Sequence, residues 1–119
     1  MTYEDLLVVP YKAGGRDEHG MDCYGLVIEC CKRAFTPLKD IRNNGHVEVK
    51  KLLQYVSALN VIETYCPEKG CVVQCEYNGE LHIGYMIDKK RVLHMTETGA
   101  RVSALVALRN VKFYKVETE

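Results

Sequence analysis

The sequence has no surplus of charge. Its 16 Lys and Arg are balanced by 16 Asp and Glu over 119 residues, so no whole-molecule field draws it to nucleic acid or to anionic wall polymers. A polymeric partner must be held locally or delivered. No apolar run reaches membrane-spanning length, and Met1-Thr2-Tyr3-Glu4-Asp5 has no basic residue ahead of its short apolar stretch. A spanning helix and a recognisable export signal are therefore excluded, and the expectation is a soluble protein of cytoplasmic synthesis, with no nucleic-acid or membrane partner.

Paired metal-knuckle spacing is also missing. There are six cysteines but no Cys-x-x-Cys, and the set nearest to a metal pattern, Cys66, Cys71 and Cys75, has gaps of four and three residues. Gly70-Cys71-Val72-Val73-Gln74-Cys75 reads instead as a strand in which cysteine serves as a small apolar side chain, so neither a metal nor another cofactor is expected. A disulfide framework suits a core-poor secreted scaffold, whereas 47% of this chain is hydrophobic, and free thiols are the expectation. No repeat, low-complexity tract or charged linker divides the chain, which reads as a single domain over 1–119.

What is present centres on Gly20-Met21-Asp22-Cys23-Tyr24-Gly25-Leu26-Val27. Leu26, Val27, Cys30, Cys31 and Ala34 recur at three- and four-residue steps, with Glu29, Lys32 and Arg33 on the other side, so an amphipathic helix begins at Cys23. A helix N-terminus offers unpaired N–H groups and partial positive charge, which favour thiolate over thiol and can later hold an oxyanion. On this ground Cys23 is expected to be the one strongly activated thiol, with Cys30 and Cys31 as inert core. Asp22 is expected to cap the helix, and Gly14 and Gly15 to let the backbone turn closely beside the site.

After a loop over 36–45, Val49, Leu52, Leu53, Val56 and Leu59 predict a second helix over 46–59. Strands follow over 71–77 and 81–87, joined by Asn78-Gly79, then over 91–96, 101–105 and 111–116. Helices first and an antiparallel meander afterwards give an α+β class.

Two histidines lie on the meander. His82 shares a strand face with Gly84 and Met86, while Leu81, Ile83, Tyr85 and Ile87 take the other. A turn centred on Lys89 sets Gly84 opposite His94 and brings both imidazoles to one face, a diagonal step apart, with room for the His94 ring over the glycine. A turn centred between Lys89 and Lys90 puts them on opposite faces. His19 and His46 lie in turn-rich polar segments and read as solvated, His19 being a backup base by nearness to Cys23.

Tyr11-Lys12-Ala13-Gly14-Gly15, the Asp-Cys-x-Gly-Leu-Val stretch from Asp22, His82-Ile83-Gly84-Tyr85 and Leu93-His94 occur in the order that resembles NlpC-type cell-wall cysteine peptidases, over 11–116. Ala13 stands where relatives usually have tryptophan, and Cys71 where they usually have aspartate. Tyr24 after the cysteine is similar to versions in phage tail-tip assemblies. The resemblance implies a papain-like core and no cofactor. It implies Cys23 as nucleophile, His82 as base and His94 as orienting group, in the register that places both histidines on one face. It further implies Tyr11 and Tyr24 at the substrate, a peptidoglycan peptide as that substrate, and carriage by phage tail-tip partners to the cell envelope. Three rivals remain: a structural tail-tip subunit with little activity, an acyltransferase or amidase using the same triad, and a small metal-binding module.

Overall fold

The computed structural model describes residues 2–40 and 59–117. A 3-10 turn, Glu4–Val8, leads to a short hairpin of β1 (Arg16–Asp17) and β2 (Gly20–Met21), and α1 (Cys23–Arg33) follows directly. Then come β3 (Val61–Thr64), β4 (Val72–Tyr77), β5 (Glu80–Met86), β6 (Arg91–Thr96), β7 (Gly99–Ala104), a 3-10 turn at Leu105–Ala107, and β8 (Arg109–Val116). The class is α+β, an N-terminal helix on an antiparallel sheet. The helix expected over 46–59 lies outside the described residues apart from its last position, Leu59, and so does His46.

Helix α1 forms as its spacing dictates: Leu26, Val27, Cys30 and Cys31 are wholly buried, and Lys32 and Arg33 stand in the last turn, where cations suit the helix dipole. It ends because Phe35 takes φ 60°. The N–H of Thr36 then reaches the Cys31 carbonyl at 2.9 Å and that of Phe35 the Lys32 carbonyl at 3.2 Å, a Schellman closure with Pro37 just beyond it.

The six-stranded sheet runs β3-β8-β4-β5-β6-β7. The β4–β5 turn is Asn78-Gly79, at φ 52° and 79°, with Tyr77 opposite Glu80, the pattern of a two-residue primed turn. The β5–β6 hairpin pairs Tyr85 with Leu93 and Met86 with Val92, symmetrically about Lys89. Asp88 Oδ1 fixes that turn by accepting from the N–H groups of Lys90 and Arg91, each at 2.8 Å.

Two features depart from the expected meander. After β7 the chain returns across the sheet, so that β8 lies between β3 and β4 instead of continuing beyond β7. Strand β3, not anticipated from sequence, becomes an edge through pairs such as Val61 with Val116.

Strand alternation builds a core on each face. Ile83, Tyr85, Leu93 and Met95 join α1 in one cluster, while Val73, Cys75, Met86 and Val92 form a second on the reverse, closed by Leu105, Leu108, Val111 and Phe113. Burying such side chains contributes about 1.5–3 kcal/mol each before entropy is counted. Among the described residues no helix is long and apolar enough to cross a membrane.

Candidate active site

The cysteine end of the site begins with Asp22, the N-cap of α1. Its Oδ1 accepts from the Gly25 N–H at 2.7 Å and from Arg16 Nη1 at 2.8 Å, and its Oδ2 from the Gly14 N–H at 3.2 Å. The carboxylate is thus committed to holding the loop against the helix. Gly14 takes φ 74°. A β-carbon on Gly15 would lie 2.2 Å from the Gly20 carbonyl oxygen, and one on Gly25 would lie 2.3 Å from that of Gly15. These glycines let two backbone segments meet under the first turn of α1.

Cys23 follows, buried. The backbone N–H groups of Ile83, Tyr24 and Cys23 itself favour its thiolate form, two from the helix N-terminus and one from the β5 peptide that follows His82. The β5–β6 ladder runs only from Met86 to Tyr85, so Ile83 lies beyond the paired stretch. The favouring of thiolate by the helix terminus meets an opposing effect here. Burial above all, with the Asp22 carboxylate next to it, pushes the Cys23 thiol up to about 12 despite those N–H groups. Desolvation outweighs the helix terminus.

The imidazoles share one sheet face. His82 Nε2 and His94 Nδ1 lie 2.9 Å apart, their rings edge to face at 85°. Gly84 makes the room: a β-carbon there would come 3.3 Å from Cβ of His94 and 2.5 Å from Cγ1 of Val92. Burial, then His94, pushes His82 down to about 4. Burial, then the Arg101 charge, does the same to His94, also to about 4. Both rings are therefore neutral at pH 7. The contact with His94 engages Nε2 of His82 and leaves its Nδ1 as the nitrogen turned away from His94.

Three residues that sequence reasoning missed complete the surroundings. Tyr77 stacks on His82 with ring centroids 5.3 Å apart and meets His94 edge-on at 5.0 Å. Arg101 Nη1 donates to the Tyr77 hydroxyl at 3.3 Å. His94 Nε2 lies 2.7 Å from Ser103 Oγ. Hairpin parity, applied to Asn78-Gly79 and to the turn before Gly99, was the signal available: Cys75 opposes His82 and Arg101 opposes His94, which puts Tyr77, Arg101 and Ser103 on the histidine face.

Tyr11 bridges to Met21 beside the Cys23 loop and is 41% exposed. Burial, then the charges of Asp22 and Cys23, hold its phenol above the usual range. Tyr24 is a correction: expected at the substrate, it is fully buried, its hydroxyl donates to the Lys39 carbonyl, and Arg16 lies over its ring at 5.3 Å. His19 sits on the β1–β2 turn, exposed. Cys66 is exposed, while Cys71 and Cys75 are buried. Among the described residues no three His, Cys, Asp or Glu converge as metal ligands.

The structure thus joins His82 to His94 on the sheet face shared with Met86 and Val92, and it sets α1 on the other face with Ile83 and Tyr85; among the described residues no hydrogen bond joins the Cys23 thiol to either imidazole. A search of curated proteins found no match. The family model NlpC/P60 matches residues 8–116, nearly the whole chain, and the chain belongs to the NlpC/P60 family.

Proposed function

We propose that the protein hydrolyses an amide bond in peptidoglycan stem or cross-link peptides through an acyl-enzyme on Cys23. Membership of the family carries cysteine-peptidase-like hydrolysis of peptidoglycan-type substrates. The observation that supports the assignment of roles is the 2.9 Å contact between His82 Nε2 and His94 Nδ1, which commits one nitrogen of His82 and leaves Nδ1 for proton transfer.

Cys23 Sγ attacks the scissile carbonyl carbon while its proton passes to Nδ1 of His82. The carbonyl electron pair moves to oxygen, where the Cys23 N–H serves as oxyanion donor. Collapse breaks the C–N bond, and the leaving amine takes the proton from His82. Water then attacks the thioester, gives its proton to His82, and releases the acid and the thiol. Because both partners rest neutral, the sulfur loses its proton as it attacks. His94 orients His82 and disperses the charge of the imidazolium. Tyr11 faces the substrate.

A second reading, an assembly subunit of a phage tail tip that keeps the fold with little activity, is supported in its low activity by the lack, among the described residues, of a hydrogen bond between the Cys23 thiol and His82. Incubation with purified peptidoglycan, followed by mass spectrometry of new amino termini, separates the two. Cleavage by the native protein and none by Cys23→Ala is expected. Intact peptidoglycan, with Cys23 inert to thiol reagents at neutral pH, establishes the second reading.

A further inference from the structure

The hydrogen-bonded chain does not stop at the second histidine. On the β6–β7 ladder Ser103 opposes Val92 while His94 opposes Arg101, so Ser103 stands one diagonal step from His94 on the same face. Its Oγ lies 2.7 Å from His94 Nε2. Four atoms form two contacts in series: His82 Nε2 with His94 Nδ1 at 2.9 Å, and His94 Nε2 with Ser103 Oγ at 2.7 Å.

A neutral imidazole has one N–H and one lone pair, so protons can fill this series in only two directions. In the first, Ser103 donates to His94 Nε2, His94 Nδ1–H donates to His82 Nε2, and Nδ1 of His82 carries the hydrogen. That leaves no base toward the substrate. In the second, His82 Nε2–H donates to His94 Nδ1, and His94 Nε2–H donates to Ser103 Oγ. The Ser103 proton turns away to solvent, and Nδ1 of His82 keeps its lone pair. The second direction also puts both rings in the Nε2–H tautomer, which neutral histidine prefers in water.

We infer that Ser103 is a positioning residue of this site: its Oγ against His94 Nε2 holds the His94 ring in place on His82, in the arrangement that presents a lone pair at Nδ1 of His82. The inference rests on His82 as the base of the proposed hydrolysis. A hydrogen bond of ordinary strength favours the engaged ring orientation by roughly fivefold. An apolar residue at 103 leaves His94 Nε2–H without its acceptor and releases the ring.

The test uses the full chain with nitrogen-15 in its histidines, and long-range proton–nitrogen spectra at pH 7.5 read the ring tautomers. The native protein should show Nε2–H in both rings. Ser103→Ala should give averaged nitrogen shifts at His94 and a fall in kcat of roughly three- to tenfold with KM unchanged. Ser103→Thr, which keeps the hydroxyl on a strand-compatible side chain, should restore both. Nδ1–H rings in the native protein would overturn the inference, as would Ser103→Ala shifts that superimpose on the native ones, or a natively folded Ser103→Thr protein as impaired as Ser103→Ala. Should the native protein leave peptidoglycan intact, the hydrolytic reading fails and the ring shifts still decide the role of Ser103. Cleavage with the wrong tautomers fails Ser103 alone.

Discussion

Gly84 and His94 lie against each other so closely that any side chain on the first displaces the second: an added β-carbon would stand 3.3 Å from Cβ of His94 and 2.5 Å from Cγ1 of Val92. Gly84→Ala should therefore cost about 1–3 kcal/mol of stability, by denaturant titration, as overpacking does. It should also lower turnover by pushing His94 off His82. Adding Val92→Ala should recover part of the stability, since the Val92 methyl is the tightest neighbour. An unchanged unfolding midpoint in Gly84→Ala would show that the hairpin yields there.

Thiol reagents should find the six cysteines in an order set by burial. Cys23, Cys30 and Cys31 are each pushed up to about 12, and Cys75 to about 11, chiefly by desolvation, while Cys66 is exposed. Iodoacetamide at pH 8 should modify Cys66 first without loss of activity, and inactivation should follow Cys23 modification on a slower clock, both read by peptide mass mapping. Cys66→Ser should remove the fast phase and leave turnover untouched. Fast labelling of Cys23 at mildly acidic pH would mean that the resting thiol is ionised after all.

Both histidines have folded-state values of about 4 against 6.5 for the free side chain. Between those limits the unfolded chain binds protons that the folded one refuses. Their contribution to stability is therefore complete above pH 6.5 and is lost as pH falls toward 4, by a few kcal/mol in all on the order of. Denaturant titrations from pH 7.5 to 4 should show the decline, and His94→Gln should flatten it. Activity obeys the same sign. With His82 still unprotonated at pH 5, kcat/KM should hold from pH 7 to pH 5, and an acid limb centred near 6.5 would contradict the burial argument.

The two tyrosines should separate cleanly. Tyr24→Phe deletes a buried hydroxyl that donates to the Lys39 carbonyl and should cost about 1–2 kcal/mol of stability with KM and kcat little changed. Tyr11→Phe, at a half-exposed position beside the Cys23 loop, should leave the unfolding midpoint nearly fixed and lower kcat/KM. Reversal of these two patterns would return Tyr24 to the substrate.

Local geometry made much of this legible in the sequence. Hairpin arithmetic narrowed the turn to two registers and the family resemblance pointed to the one centred on Lys89, in which the two imidazoles share a face, as they do. The burial of α1 followed from its period. What escaped depends on chain that arrives from far away. Strand β3 is a strand because Val61 meets Val116, and nothing within Val-Ile-Glu-Thr announces that partner. Tyr24 is covered by the loop at Lys39, which helical periodicity cannot foresee. The desolvation at Cys23 was not foreseen because a helix terminus is a local feature, whereas the burial that opposes it comes from the whole core. Ser103 was within reach of the same parity reasoning, carried one hairpin further.

The return of β8 between β3 and β4 also imposes an order of assembly. The paired imidazoles and Ser103 belong to consecutive hairpins and can form from neighbouring chain alone, whereas β4 gains its second neighbour only when Val72 meets Tyr114, and Cys23 reaches Ile83 only when α1 docks on the opposite face. Contacts of low sequence separation close first and distant ones last. The contacts among His82, His94 and Ser103 thus depend on neighbouring strands alone, whereas the place of Cys23 depends on the docking of a segment distant in sequence. In the proposed hydrolysis, loss of the α1 docking alone is therefore enough to part the thiol from histidines that remain paired.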